Sequence, residues 1–194
     1  MLDLRTQSNR HALAERGADL YSTPACAVEA LLRVEPIPHR IWEPACGHGN
    51  IVNALRTAGR EVVATDLVNY GEPITPPRYY GVDFLMECKA PEGTEAIITN
   101  PPYMLATEFV AHALDLCPHV TMLLRLAFLE SEKRSRILEN CGLARVHVFR
   151  KRLPRMHRAG WSGPKASSAI PFAWFVWRRD HTGPTVIDRI SWER

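Results

Sequence analysis

The stretch Ala96-Ile97-Ile98-Thr99-Asn100-Pro101-Pro102-Tyr103 decides the fold of this chain. Its apolar first half predicts a short buried strand. The two prolines end that strand, because neither can donate to a sheet ladder and each has a fixed φ. The polar side chain of Asn100 therefore lies at a strand's carboxyl end, where open α/β sheets bind ligands. The alternative for residues 100–103 alone is a strand-ending turn with a surface tyrosine.

Strand and helix patterns alternate on both sides of this stretch. Seven strands are predicted, over residues 40–42, 61–65, 79–82, 96–99, 120–126, 143–149 and 172–177. Four helices are predicted, over residues 25–34, 51–58, 106–116 and 131–140. The first helix has Thr23 as the expected N-cap and Pro24 as its first residue.

This alternation predicts an α/β fold, a mostly parallel seven-stranded sheet with helices on both faces. No helix pattern separates the last two strands, so we expect them to form an antiparallel hairpin at one edge of the sheet. Residues 150–169 are then a long loop between them. At 194 residues the chain is expected to form one domain, with residues 1–20 as a polar lead-in.

Composition excludes several classes of protein. Hydrophobic residues make up 46% and charged residues 23%, as in ordinary soluble proteins. No apolar run approaches the ~20 residues that span a bilayer, and the N-terminus does not read as a signal peptide. The five cysteines form no C-x-x-C pair, which favours a reducing compartment and argues against structural zinc. The eight histidines are equally dispersed, so no metal is expected.

Positive charge is concentrated late in the chain. The formal net charge is +3, but residues 1–140 carry 13 Lys/Arg and 18 Asp/Glu, a net of −5. Residues 141–179 carry nine Lys/Arg and no acid. Such a segment predicts a polyanion partner, with a solvated basic face as the alternative.

A glycine turn and two acids follow the earlier predicted strands. Glu43-Pro44-Ala45-Cys46-Gly47-His48-Gly49 follows the first strand, but Val52 stands where a dinucleotide fingerprint needs a third glycine. Asp66 ends the second strand, where a carboxylate can bind both hydroxyls of a ribose. Asp83 and Phe84 end the third, where they can accept from an adenine amine and pack on its face. For either acid alone, an ordinary helix cap is the favoured interpretation, and it is their occurrence together at successive strand ends that indicates a ligand site.

These motifs, in this order and spacing, resemble the amino-methylating S-adenosylmethionine-dependent DNA methyltransferases. Asn at the first position of Asn100-Pro101-Pro102-Tyr103 is similar to the N6-adenine type. The stretch Tyr21-Ser22-Thr23-Pro24 is similar to the segment that contacts the methionine end of the cofactor in that family. The final strand, Pro171-Phe172-Ala173-Trp174-Phe175-Val176-Trp177, resembles that of small phage and prophage adenine methyltransferases.

The resemblance implies a Rossmann-like class I methyltransferase that binds S-adenosylmethionine and methylates adenine in DNA, in the cytoplasm of a bacterium or a phage-infected host. The implied catalytic residues are Asn100, Pro101, Pro102 and Tyr103. The implied cofactor-binding residues are Tyr21, Thr23, Pro24, Glu43, Pro44, Ala45, Cys46, Gly47, Gly49, Asp66, Asp83, Phe84 and Asn100.

The chemistry of the motif agrees with this implication. Acceptors at the two hydrogens of an exocyclic amine, here the Asn100 side-chain oxygen and the Pro101 carbonyl, would stabilise the charge that develops on the nitrogen. Tyr103 would stack on the base, worth ~1–3 kcal/mol. A duplex adenine must first be flipped out. Nucleic-acid contacts are therefore expected from the loop. Its basic residues are expected to bind phosphates: Arg150, Lys151, Arg152, Arg155, Arg158 and Lys165. Trp161 is expected either to stack on the base or to lie tucked under its own loop.

Alternatives remain at this point. Only 16 residues separate Asp83 from Asn100, so no target-recognition domain is inserted there, and low or short sequence specificity is expected. The Asn-Pro-Pro-Tyr motif also occurs in enzymes that methylate a protein glutamine amide or an RNA base. A non-catalytic cofactor-binding or DNA-binding module is a further alternative.

Overall fold

A computed structural model describes residues 21–71, 78–154 and 170–193 of the protein. Eight strands form one sheet: β1 Arg40–Glu43, β2 Glu61–Asp66, β3 Arg78–Tyr80, β4 Ala96–Thr99, β5 His119–Arg125, β6 Leu143–Phe149, β7 Phe172–Arg178 and β8 Val186–Ile190. Their order is β3-β2-β1-β4-β5-β7-β6-β8. β7 is antiparallel to both of its neighbours, and the other seven strands run in one direction.

The predicted α/β class, the mostly parallel sheet and the late antiparallel pair are confirmed. The helices are α1 Ala25–Val34, α2 Asn50–Thr57, α3 Ala106–Leu116 and α4 Ser135–Glu139. α1 and α2 pack on one face of the sheet, and α3 and α4 pack on the other, so the sheet is covered on both faces.

Three buried tryptophans form hydrogen bonds within the core, two between the sheet and a helix and one between neighbouring strands. Trp174 and Trp177 on β7 donate through Nε1 to the carbonyls of Ala27 in α1 (2.9 Å) and Ile137 in α4 (2.8 Å). Trp42 on β1 donates to the Thr65 hydroxyl at 2.9 Å. Each large ring therefore buries its apolar surface and satisfies its only polar group.

The sequence-based prediction was wrong in the strand count and in the position of the hairpin. An eighth strand, β8, lies outside β6, so the antiparallel pair is not at the edge of the sheet. β8 is exposed at its first four positions and buried only at Ile190, and so lacks the alternation by which a strand is recognised.

Three smaller elements also differ from expectation. The third strand ends at Tyr80 because Gly81 turns the chain with φ 74°. The expected helix over residues 131–140 divides into a 3₁₀ turn, Glu132–Arg134, and the short α4. The N-cap of α1 is Pro24 rather than Thr23, whose hydroxyl is engaged elsewhere.

Candidate functional site

The carboxyl ends of β2, β1 and β4 form a continuous edge of the sheet. The chain runs from β1 to β2 and β3 on one side, then returns to β4 and β5 on the other. The strand order therefore reverses between β1 and β4, which is where open α/β sheets bind ligands. Neighbouring strands lie about 4.8 Å apart, so groups at the ends of these three strands are within about 10 Å of one another.

Asn100 follows β4 at this reversal point. Its side-chain Nδ2 donates to the Tyr21 carbonyl at 3.3 Å and to the Thr23 hydroxyl at 3.0 Å. Because a carbonyl can only accept, the Tyr21 contact fixes which end of the amide is NH₂. The Oδ1 atom is buried, and no group in the described part of the chain donates to it.

The backbone before α1 holds this amide in place. The Thr23 side chain is buried, and the Thr23 carbonyl accepts from Asn50 Nδ2 at 3.0 Å. Asn50 is the first residue of α2, directly after the glycine turn. Thr23 thus links α2 to the end of β4.

The prolines of the motif differ in what their carbonyls do. The Pro102 carbonyl accepts from the Leu105 N–H at 2.9 Å and starts the 3₁₀ turn Tyr103–Leu105. In the described residues, the Pro101 carbonyl accepts no hydrogen bond. The Asn100 oxygen and the Pro101 carbonyl are therefore two adjacent acceptors with no donor among the residues that the structure describes.

Tyr103 is surrounded by two aromatic rings and a cation. Its ring centroid lies 5.2 Å from that of Tyr21 and 5.5 Å from that of Phe172, each tilted by 37°. The Arg125 guanidinium lies over the ring, with Cζ 4.7 Å from the centroid. The structure therefore brings Tyr21, Thr23, Asn100 and Tyr103 together, as expected, and adds Arg125 and Phe172.

The glycine turn is fastened to the end of β2. The Cys46 N–H donates to the Thr65 carbonyl at 3.0 Å, and the Gly47 N–H donates to Asp66 Oδ2 at 2.8 Å. The other oxygen of Asp66 accepts from the Val68 N–H at 2.9 Å. Gly47 and Gly49 have φ values of 49° and 79°, a conformation that favours glycine. Glu43, Pro44 and Cys46 are buried beneath this turn, and Ala45 is half-buried.

Asp83 and Phe84 do not end β3 as predicted. The Asp83 side chain accepts from the Leu85 N–H at 3.1 Å and caps a 3₁₀ turn, Phe84–Met86. The Phe84 ring is 2% exposed and packs against Trp42 and Phe109 at centroid distances of 5.2 and 4.8 Å. This burial places the ring in the core rather than at the open edge.

Tyr70 is a further side chain near the turn. Its ring centroid lies 5.4 Å from that of His48. Burial, together with the nearby Asp66 carboxylate, raises the pKa of Tyr70 to about 12. Tyr70 therefore stays a neutral hydrogen-bond donor beside Asp66 at any physiological pH.

The described start of the basic segment lies at the same sheet edge. β6 runs parallel to β4 and β5, so Arg150, Lys151 and Arg152 emerge at their carboxyl ends. All three are exposed. Arg150 Nε donates to the Arg189 carbonyl at 3.2 Å, and Lys151 pairs with Glu193. The other expected contacts (Arg155, Arg158, Trp161 and Lys165) lie outside the described residues.

Part of the positive charge of residues 141–179 is neutralised at the opposite edge of the sheet, near the amino ends of the parallel strands. Glu35, whose side chain is fully buried, accepts from Arg145 at 2.6 and 2.8 Å and from Arg178 at 3.0 Å. His147 Nε2 lies 3.1 Å from the same carboxylate. Burial alone would raise the pKa of the Glu35 carboxyl, but hydrogen bonds from His147, Arg145 and Arg178 outweigh it and hold that pKa well below its usual range. Arg145 and Arg178 are therefore engaged by Glu35, so residues 141–179 offer fewer basic side chains to a polyanion than their composition indicates.

Sequence reasoning missed Asn50, Tyr70 and Arg125 at this site. Arg125 offered a signal, as a charged residue ending an apolar strand. The other two are polar residues in a turn or helix start and have no distinctive spacing. In the described residues, no group of three or more His, Cys, Asp or Glu side chains could hold a metal ion, and no helix is long and apolar enough to cross a membrane.

Comparison with solved structures identifies the fold. The chain superimposes on a provisionally assigned class I S-adenosylmethionine-dependent methyltransferase from Listeria monocytogenes, with a TM-score of 0.55 and 11% identity over 86% of this chain and 62% of that one. It also matches a provisionally assigned type I restriction enzyme modification subunit from Vibrio vulnificus, with a TM-score of 0.57 and 15% identity over 94% of this chain and 49% of that one.

A third neighbour is the 23S rRNA methyltransferase ErmE, with a TM-score of 0.50 and 17% identity over 84% of this chain and 70% of that one. Comparison with protein-family models and with curated proteins finds no match. At these identities the likeness establishes a Rossmann-like, class I methyltransferase fold, as predicted.

Proposed function

We propose that this chain is an S-adenosylmethionine-dependent methyltransferase that methylates the exocyclic amine of adenine in DNA, with low or short sequence specificity. The observation that carries the proposal is the orientation of Asn100. Its NH₂ group is held by Tyr21 and Thr23, and its buried Oδ1, at the ligand-binding edge, receives no donor from residues 21–71, 78–154 or 170–193.

Such an oxygen suits a planar amine. The lone pair of an exocyclic amine is delocalised into the ring, which makes the nitrogen a poor nucleophile. Oδ1 and the Pro101 carbonyl can accept its two hydrogens, favour a pyramidal nitrogen and stabilise the positive charge that develops on it. Because both acceptors are fixed by the fold, transfer depends on positioning rather than on a strong base.

The residues beside Asn100 fit the cofactor. The Gly47 and Val68 N–H groups orient the Asp66 carboxylate at the end of β2, the position at which a carboxylate can bind both hydroxyls of a ribose. The positive-φ glycines keep the turn free of side chains where a ligand would approach the backbone. When bound, S-adenosylmethionine supplies an electrophilic methyl group.

The charge at the site favours a nucleic acid over a protein as the substrate, and the resemblance to the DNA-methylating family favours DNA over RNA. Arg125, Arg150, Lys151 and Arg152 lie at the edge that carries Asn100, where phosphates of a bound strand would pass. A glutamine amide would fit the same acceptors but brings no phosphates. The resemblance of residues 100–103 to the adenine-specific motif favours adenine among the bases.

Arg152, which follows β6, gives a test of this charge argument. Replacing Arg152 by Glu, together with Arg155 by Glu, is expected to weaken DNA binding and to flatten its dependence on salt. Unchanged affinity and salt slope would remove this segment from the proposed interface.

The proposal as a whole is tested by incubating the pure protein with methyl-labelled S-adenosylmethionine and, in parallel, unmethylated DNA, RNA or release-factor protein. We expect label in DNA, recovered as N6-methyladenine after digestion to nucleosides. Label in protein alone, or in RNA alone, would replace the DNA proposal by the corresponding alternative.

A further inference from the structure

The guanidinium of Arg125 lies over Tyr103, the proposed base-binding ring, with Cζ 4.7 Å from its centroid. Arg125 is the last residue of β5, and its backbone is held by pairing with Phe172 on β7 and by the Leu126 N–H, which donates to the Pro171 carbonyl at 2.9 Å. Its side chain is exposed. The strand therefore fixes the Cα position of Arg125, while its guanidinium is exposed.

Within the described residues, Arg125 differs from Arg134 and Arg150 in lacking acceptors for its guanidinium. Arg134 donates to four oxygens, those of the Thr107 hydroxyl and of the Ala127, Phe128 and Glu130 carbonyls. Arg150 donates to the Arg189 carbonyl. In the described part of the chain, the Arg125 guanidinium meets no carboxylate and no carbonyl, and its one contact is the face of Tyr103 at 4.7 Å. None of its five N–H donors is therefore used by a described residue, and they can serve a ligand.

A planar guanidinium over Tyr103 occupies the position that a stacked base would take. A base on the same face would have to displace it, since both cannot lie against one ring face. Once displaced, a cation with five unused donors next to an extruded nucleotide meets a phosphate, the partner that matches its forked geometry.

We propose that Arg125 covers Tyr103 in the free protein, is displaced by the target base, and then binds a phosphate of the extruded nucleotide. This inference rests on the proposed function, because it requires a nucleic-acid substrate. In this role Arg125 is a positioning residue that couples entry of the base to the grip on its backbone.

The test uses a 25-base-pair duplex in which one adenine faces an abasic site, so that extrusion costs little. The variants are Arg125→Ala, Arg125→Lys and, as a matched control, Arg136→Ala, an exposed arginine on α4. Affinity is measured by fluorescence anisotropy at several salt concentrations, with KM and kcat for methyl transfer on the same duplex.

We expect Arg125→Ala to raise Kd and KM about 10-fold and to lower the magnitude of the salt slope by about 1, with kcat within about 3-fold of wild type. Arg125→Lys keeps the charge and should keep the salt slope, and Arg136→Ala should match wild type in Kd, KM, salt slope and kcat. Each variant is first checked for an unchanged melting temperature.

Three results would overturn the inference. One is a wild-type Kd and salt slope in Arg125→Ala. Another is Arg125→Lys behaving like Arg125→Ala, which would indicate stacking without a phosphate contact. The third is failure of wild type to bind or methylate any DNA, which would reject the proposed function as well, whereas the first two leave it intact.

Discussion

The hydroxyl of Thr23 is expected to set the activity of Asn100. Thr23→Val removes the acceptor that lies 3.0 Å from Asn100 Nδ2 and keeps the shape of the side chain. Loss of one partner from a buried hydrogen bond costs about 1–3 kcal/mol. Asn100 would keep its second contact, to the Tyr21 carbonyl at 3.3 Å, so we expect the lower half of that range.

If half to all of this energy, about 0.5–2 kcal/mol, holds the amide in its reactive orientation, kcat for methyl transfer should fall about 2- to 30-fold, since 1.36 kcal/mol corresponds to a factor of ten. Steady-state transfer of labelled methyl groups measures kcat, and titration calorimetry measures cofactor affinity. Thr23→Ser retains a hydroxyl and should recover most of the rate.

Thr185→Val is a matched control, because the Thr185 hydroxyl also makes a long-range hydrogen bond, in its case as donor to the Leu143 carbonyl, far from the site. It should leave kcat unchanged. A wild-type kcat in Thr23→Val would refute the reasoning that Thr23 orients Asn100. A loss of rate shared equally by Thr185→Val would show that general destabilisation is responsible.

Further predictions concern stability. Glu35→Gln leaves Arg145 and Arg178 without their carboxylate and should lower the free energy of unfolding by about 2–4 kcal/mol in urea denaturation. The reason is that the remaining charges stay partly desolvated without a partner of opposite charge. A loss below about 0.5 kcal/mol would contradict this prediction. Burial lowers the pKa of His119 to about 4, so the unfolded chain binds the proton more readily between pH 6.5 and 4, and stability should decrease as pH falls through that window, by up to ~3 kcal/mol. His119→Asn should flatten that part of the pH profile, whereas His39→Asn, at an exposed position, should not; equal profiles for the two variants would show that another group is responsible.

Helices and strands could be predicted from the sequence where neighbouring residues mark their bounds. The bounds of α1, α3, β4 and β6 agree with expectation because apolar periodicity and prolines mark them. β8 could not be found, since an edge strand exposed at its first four residues has no buried face to impose a pattern.

The site was predictable in its motifs and not in its contacts. Thr23 has the sequence signature of an N-cap, yet its hydroxyl serves Asn100, 77 residues away. Likewise, the composition of residues 141–179 includes Arg145 in the basic surface, whereas in the structure its guanidinium binds Glu35, 110 residues earlier. Such pairings depend on tertiary structure, which composition and spacing do not encode.

The central claim, that the Asn100 amide carries the chemistry, is tested most directly by Asn100→Ala. Transfer of labelled methyl groups to unmethylated DNA is measured together with the Kd for S-adenosylmethionine. We expect transfer to fall at least 100-fold, because a fixed acceptor of the developing charge is lost, while the cofactor Kd changes by less than about 5-fold. Transfer within a few-fold of wild type would contradict the account, and so would a loss of rate explained entirely by loss of cofactor binding.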